Sequence, residues 1–163
     1  MKGMKYVVFA PIAFILAFFC SCAQKPTAIL DVREVPLKQI QRPADNTGMH
    51  RIQSNYLLYG AVSREDRKNR LGQYYFVTWQ DSDPEKELSL VMQYRQGKSG
   101  SKILSKSVHY PSGRSAGEKT PVFEFIGDEV KNHGKVLSWR IQLRDAKGTT
   151  ISSRQSFLWS DKN

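Results

Sequence analysis

Apolar and polar residues alternate along most of the chain after Ser54. Short stretches rich in Tyr, Val, Phe, Ile and Trp are separated there by clusters of Gly, Pro, Asp and Ser. A period of two that is interrupted by turn residues predicts β-strands with one buried face. Seven strands are predicted in this way, at 55–63, 73–80, 87–96, 102–110, 121–126, 135–144 and 149–159.

The alternation also predicts which residues of each strand face the core. In the second strand they are Tyr75, Val77 and Trp79. In the third they are Leu88, Leu90, Met92 and Tyr94, and in the sixth Leu137, Trp139, Ile141 and Leu143. The sixth and seventh strands are joined by 145–148, a turn sequence that ends in glycine, so these two strands are predicted to form a hairpin.

The remaining segments show no long helical periodicity. The all-polar stretch 64–70 is predicted to be a charged loop, and 128–132 a single helical turn. Residues 23–50 contain three prolines, which block a regular helix and favour extended chain. They are expected to form a tether, in which 28–35 is apolar enough to add one edge strand.

Together these elements predict an all-β fold, a single antiparallel β-sandwich of about seven strands at 53–163, preceded by a signal peptide and an extended tether. In the spacing of its strands the layout resembles the immunoglobulin and fibronectin type III architecture. It departs from antibody domains in lacking their cysteine pair. A small closed barrel is the alternative.

The N-terminus has the organisation of a secretory signal peptide. Lys2 and Lys5 precede an apolar run at 7–19, and small residues follow it. This run of 13 residues is shorter than the roughly 20 that a membrane-spanning helix needs. The chain is therefore expected to be exported.

The end of this segment, Phe19-Cys20-Ser21-Cys22, resembles the lipobox of bacterial lipoproteins, although Phe19 stands where leucine is usual. The resemblance implies that 1–21 is removed, that Cys22 is acylated, and that 22–52 forms the lipidated N-terminus and tether. Because Ala23 is not the aspartate associated with inner-membrane retention, it also implies an outer-membrane protein that faces the periplasm. The folded domain then contains no cysteine, which excludes disulfides and cysteine-based zinc sites.

The charge of the chain favours anionic partners. It carries 25 basic and 15 acidic residues, a formal net charge of +10. Outside the cytoplasm the expected partners are the membrane, through the lipid anchor, and an envelope protein or an anionic glycan, and no nucleic acid is expected. Arg140, Arg144 and Arg154 are predicted to share the exposed face of the last hairpin as a patch for an anionic ligand. Trp159 is expected to anchor the core, with stacking against carbohydrate as the alternative.

Motifs for catalysis are incomplete. His50, His109 and His133 lack the spacing of a metal site, and the S-x-x-K sequence at 99–102 has none of the companion motifs of serine acyl-enzymes. The acidic stretch 81–87 is interpreted as a solvated turn, and no metal or cofactor is predicted. The sequence thus favours a non-catalytic domain for binding or envelope assembly. The alternative is an exported hydrolase or carbohydrate-processing enzyme whose loops bring His109 or His133 beside a carboxylate.

Overall fold

The computed structural model describes residues 25–38 and 48–160. Its strands are β1 (Ala28–Leu37), β2 (Gly72–Asp81), β3 (Leu88–Gln96), β4 (Leu104–Tyr110), β5 (Gly117–Lys119), β6 (Val122–Ile126), β7 (Val136–Asp145) and β8 (Thr150–Gln155). Its helices are α1 (Gly48–Leu57), α2 (Arg64–Asn69) and α3 (Asp128–His133). None of these helices is long and apolar enough to span a membrane. Cys22 lies outside the described residues, so its lipidation stays a prediction.

Two antiparallel sheets form a sandwich, and the predicted fold class is confirmed. In sheet A, β1 pairs with one edge of β2, and β5 and β6 pair with successive parts of the other edge. In sheet B the strand order is β4-β3-β7-β8. One hydrogen bond from the Ile29 amide to the Ser152 hydroxyl, 3.1 Å long, joins the sheets at the β1 and β8 edges. The sandwich does not close into a barrel.

The core lies between the sheets, as the alternation predicts for β2 and β3. Every residue predicted to face inward from these two strands is buried. From sheet B the core also receives Ile141 and Leu143, and from sheet A it receives Phe123 and Phe125. The rings of Tyr94 and Phe125 pack edge to face with their centroids 4.6 Å apart, a favourable arrangement for buried aromatic side chains.

The first half of β7 departs from the predicted alternation. Arg95 pairs with Ser138 and Gln96 with Val136, so Leu137 is the extra residue of a bulge. Val136 therefore enters the core, whereas Leu137 is 59% exposed. The prediction that Leu137 faces the core was wrong for this reason.

The edge strand considered for 28–35 is present and continues to Leu37. β1 pairs with β2 from the Ala28–Gln80 pair to the Leu37–Gly72 pair. The chain therefore contributes to the sandwich well before residue 53, and the segment between Cys22 and the first strand is only 23–27.

The strand predicted at 55–63 is wrong, because this segment contains the end of α1 and a loop. Leu57 and Leu58 pack against Tyr74 on the outer face of sheet A, so these two residues cover a sheet instead of extending one. The cluster they form also contains Val35, Leu37, Leu71, Phe76, Val122 and Ile126.

The charged loop predicted at 64–70 is also wrong, because 64–69 forms α2. The Asp66 amide donates to the Ser63 hydroxyl and the Ser63 amide donates to the Asp66 carboxylate, both at 3.0 Å. This reciprocal capping box starts the helix. It also lowers the pKa of Asp66, mainly through the hydrogen bond from the Ser63 backbone. The helical turn predicted at 128–132 is confirmed as α3.

Candidate anionic-ligand surface

The outer face of sheet B is polar and basic. Strand pairing places three arginines on it, Arg95 from β3 and Arg140 and Arg144 from β7. Apart from the apolar Val91, the other outward strand residues carry hydroxyl, amide or imidazole groups. They are Ser89, Gln93, Ser105, Ser107, His109, Ser138, Gln142, Thr150, Ser153 and Gln155. None of these outward strand positions carries a carboxylate. The face is therefore suited to hydrogen bonding with an anion.

Arg144 is the arginine near the end of β7. Its Nη2 donates to the Gln142 side-chain oxygen at 2.6 Å. Its Nε atom is buried and has no hydrogen-bond acceptor in the described part of the chain. The ion pairs within residues 25–38 and 48–160 include neither Arg95 nor Arg144. In the described part of the chain, no carboxylate therefore neutralises either charge.

Trp159 holds the other two arginines in place. The chain leaves β8 at Ser156, whose amide donates to the Trp139 carbonyl, and it then turns back over sheet B. The guanidinium carbons of Arg95 and Arg140 lie 4.6 and 5.1 Å from the centre of the indole ring. Trp159 is only 5% exposed, so the sequence-based candidate for carbohydrate stacking is wrong.

Hydrogen bonds fix the same arginines further. The Nε and Nη2 atoms of Arg140 donate to the Gln93 side-chain oxygen at 3.0 and 2.9 Å. Arg95 donates to the Ser160 carbonyl at 3.0 Å. Because the side chains are already ordered, less conformational entropy is lost when a ligand binds.

The structure separates Arg154 from the other predicted patch residues. Arg154 pairs with Ile141, a core residue, whereas Arg140 pairs with Gln155. Since paired residues of an antiparallel sheet point to the same side, Arg154 lies on the opposite face from Arg140 and Arg144. The three residues therefore do not form one patch. Arg95 is instead the third arginine on the face of Arg140 and Arg144. The alternation of apolar and polar residues in β3 already indicated that the Arg95 side chain points outward.

The two histidines of the hydrolase alternative, His109 and His133, are both exposed. His109 Nε2 lies 3.6 Å from a Glu87 carboxylate oxygen, but both side chains are more than half exposed. The backbone carbonyl of His133 accepts a hydrogen bond from the Lys98 amide. The side chain of His50 lies outside the described residues. Within the described ranges no three His, Asp or Glu side chains are grouped closely enough to hold a metal ion.

The acidic stretch 81–87 differs from the predicted solvated turn at its first residue. Asp81 is fully buried, and its carboxylate accepts two hydrogen bonds from Arg114. This ion pair fixes the loops at one end of the sandwich. The Asp81 carboxylate therefore stabilises the fold and is not exposed for acid–base chemistry.

Comparisons with known proteins return no relative for this chain. No protein-family model, no curated protein and no solved structure matches it significantly.

Proposed function

We propose that the protein is a lipid-anchored envelope protein whose β-sandwich is a non-catalytic binding module for an anionic glycan. The observation that carries the proposal is the outer face of sheet B, where Arg95, Arg140 and Arg144 lie among hydroxyl and amide groups without a carboxylate on the strands. A guanidinium group binds carboxylate, sulfate or phosphate through two parallel hydrogen bonds. The neighbouring Ser, Thr and Gln side chains suit sugar hydroxyl groups.

The lipobox-like sequence that ends at Cys22 supports the anchor. More than one acyl chain would hold the protein firmly, since each buried methylene contributes about 0.8 kcal/mol. Only the five residues 23–27 lie between Cys22 and Ala28. The domain would therefore lie within roughly 20 Å of the bilayer surface. The same resemblance supports attachment to the outer membrane on its periplasmic side.

Intact mass and membrane partition test the anchor. The full chain and its Cys22→Ala variant are expressed in a bacterial host. Wild type is expected to be heavier by its acyl groups and to remain with the membranes, whereas the variant lacks both properties. An unmodified wild type in the soluble fraction would contradict the lipoprotein assignment.

Titration with defined polymers tests the binding face. The probes are heparin as a sulfated glycan, polygalacturonate as a carboxylated glycan and dextran as a neutral control. The readouts are tryptophan fluorescence and calorimetry. One of the charged polymers is expected to bind, with an affinity that falls steeply as salt is added. Dextran is expected not to bind.

Matched variants assign the binding to this face. Arg95→Gln combined with Arg144→Gln is expected to weaken binding about tenfold or more, because two charge-assisted contacts are lost. Lys147→Gln combined with Arg154→Gln removes the same charge elsewhere and is expected to have little effect. Equal losses of affinity in both double variants would show that binding depends only on the net charge of the protein, which would contradict the proposal.

A further inference from the structure

A second surface, on the opposite side of the sandwich, exposes apolar side chains. They belong to α1 and to the loop that follows it, and they are Ile52 and Tyr56, each 69% exposed, Tyr59, 85% exposed, and Val62, 87% exposed. Ile52 and Tyr56 are four residues apart and therefore lie on one side of the helix. Leu57 faces the other way, into the outer face of sheet A.

The loop that exposes Tyr59 and Val62 is held in place by α2 and the residue after it. Arg70 donates from Nη1 to the Tyr59 carbonyl at 2.6 Å and to the Leu57 carbonyl at 3.2 Å. Arg67 donates from Nε to the Ala61 carbonyl at 3.3 Å. Ala61 is buried between the two exposed residues. The apolar side chains are thus presented outward by an ordered loop.

Basic residues outnumber acidic ones in the segment that carries this apolar group. Between Gly48 and Leu71 the chain has five basic residues, Arg51, Arg64, Arg67, Lys68 and Arg70, against the two carboxylates of Glu65 and Asp66. A cavity of about 520 Å³ beside α2 is lined by apolar residues, Leu37, Leu58 and Leu71, and by charged residues of which only Glu65 is acidic, the others being Lys38, Arg64, Arg67 and Lys68. Apolar side chains that lie next to positively charged ones match the chemistry of an anionic amphiphile.

We propose that α1, the loop 58–63 and α2 form a docking surface for the anionic phospholipid headgroup layer of a membrane. Tyrosine side chains favour the interface between headgroups and hydrocarbon, and arginine and lysine attract anionic headgroups. An amphipathic helix with aromatic and aliphatic residues on its outer side lies in the plane of that interface. The inference rests on the proposed lipid anchor, which would keep the surface within reach of the bilayer.

The orientation that follows agrees with the proposed glycan-binding face. β1, the strand nearest to Cys22, belongs to sheet A, and α1 packs on the outer face of the same sheet. When this side lies on the bilayer, the outer face of sheet B points away from it. The arginines of that face would then meet a ligand in the aqueous space.

Depth-dependent quenching tests the docking. The full chain, carrying Val62→Cys with an environment-sensitive fluorophore, is expressed in a bacterial host so that the anchor is attached, and it is reconstituted into phosphatidylcholine vesicles with or without phosphatidylglycerol. A nitroxide-bearing lipid serves as quencher. Quenching at position 62 is expected in the vesicles that contain phosphatidylglycerol. The matched control, Ser153→Cys on the outer face of sheet B, is expected to remain unquenched.

Charge reversal provides the second measurement. Arg64→Glu with Lys68→Glu is expected to shift the docking equilibrium by about tenfold or more, because each basic residue near an anionic surface contributes strongly to binding. Neither side chain holds the loop, since Arg67 and Arg70 do so. Lys102→Glu with Lys147→Glu is the charge-matched control and is expected to leave quenching unchanged.

The outcomes separate this inference from the proposed function. An anchored chain whose label at position 62 is not quenched would overturn the docking surface and leave the anchor intact. A chain that is not retained by membranes at all would overturn both. Equal quenching at positions 62 and 153 would contradict the orientation. Protection of position 62 in cells but not in vesicles would assign the surface to a protein partner and overturn the lipid proposal.

Discussion

The guanidinium of Arg114 and the carboxylate of Asp81 form a two-point ion pair at one end of sheet A. Arg114 Nε lies 2.6 Å from Asp81 Oδ2, and Nη2 lies 3.1 Å from Oδ1. The same guanidinium donates to the backbone carbonyls of Pro111, Asp83 and Lys86. One largely buried arginine side chain, 10% exposed, therefore connects the loop after β2 to the loop after β4.

Arg114→Ala is expected to destabilise the fold by about 3 kcal/mol, because it removes both charge-assisted hydrogen bonds from the buried Asp81 carboxylate. Lys119, whose Nζ lies 3.8 Å from Oδ2, is then the cation that remains beside it. Arg114→Lys should recover only part of this loss, since a single ammonium group cannot reproduce the two-point geometry. Urea unfolding at neutral pH measures the differences. Lys86→Ala removes a partner from an exposed ion pair and should change little. A tolerated Arg114→Ala variant would show that the pair does not stabilise these loops.

Gln73 connects the two sheets through its buried amide. Its oxygen accepts from the Val136 amide at 2.7 Å, and its nitrogen donates to the Val136 carbonyl at 3.3 Å and to a Glu34 carboxylate oxygen at 2.8 Å. Gln73→Met keeps the length of the side chain but leaves buried backbone groups without their hydrogen bonds to Gln73. Each unsatisfied group is expected to lower the free energy of unfolding by about 1–3 kcal/mol.

Hydrogen exchange of the Val136 amide measures this prediction most directly. Exchange at Val136 is expected to accelerate in Gln73→Met, together with a lower midpoint of thermal unfolding. Gln155→Met, at an exposed position of β8, is the matched control. Unchanged protection of Val136 would mean that the amide of Gln73 is not what satisfies this strand end.

The sequence predicts best where one physical pattern dominates. β2 and β3 are buried on one side throughout, so their alternation identifies the inward residues correctly. The hairpin of β7 and β8 follows from its turn, where the Gly148 amide donates to the Asp145 carbonyl. These features depend on residues close together in the chain.

The errors come from interactions between distant residues. The apolar stretch 55–63 has the composition of a strand, but Leu57 and Leu58 pack on Tyr74 at the end of a helix. The bulge at Leu137 depends on how β7 pairs with β3, and that pairing cannot be read from β7 alone. A second register shift, beyond Leu143, accompanies the pairing of Arg154 with Ile141. The candidate site changes for the same reason, because strand pairing selects Arg95 over Arg154.

Gly72 lies where β2 meets β6, and no side chain fits there. A Cβ atom at this position would lie 2.0 Å from the Phe125 carbonyl oxygen, a backbone atom that cannot move without breaking the strand pair. Gly72→Ala is therefore expected to destabilise the fold by more than about 4 kcal/mol or to prevent folding. Circular dichroism and urea unfolding measure the effect. Gly48→Ala, with no atom within 4 Å of the added Cβ, is the control and should fold normally. Normal stability of Gly72→Ala would contradict the close approach.

Tyr74 makes alkaline stability a test of the packing of α1 on sheet A. Its hydroxyl donates to the Arg70 carbonyl at 2.7 Å. Burial, helped by the negative charge of Glu124, raises the pKa of Tyr74 to about 12 from an ordinary value of 10.0. Above about pH 10 the unfolded chain loses this proton while the folded chain keeps it, so stability falls as the pH rises towards 12.

Tyr74→Phe is expected to lower stability at neutral pH by about 1 kcal/mol through loss of the hydrogen bond, and to make the decline above pH 10 shallower. The decline should not vanish, because burial also raises the pKa of Tyr75, Tyr94 and Tyr110. Urea unfolding from about pH 9 to about pH 12 measures both effects. Tyr59→Phe, which removes the hydroxyl of an exposed tyrosine, is the matched control. An unchanged slope in Tyr74→Phe would mean that the Tyr74 hydroxyl is in contact with water and that α1 does not cover it.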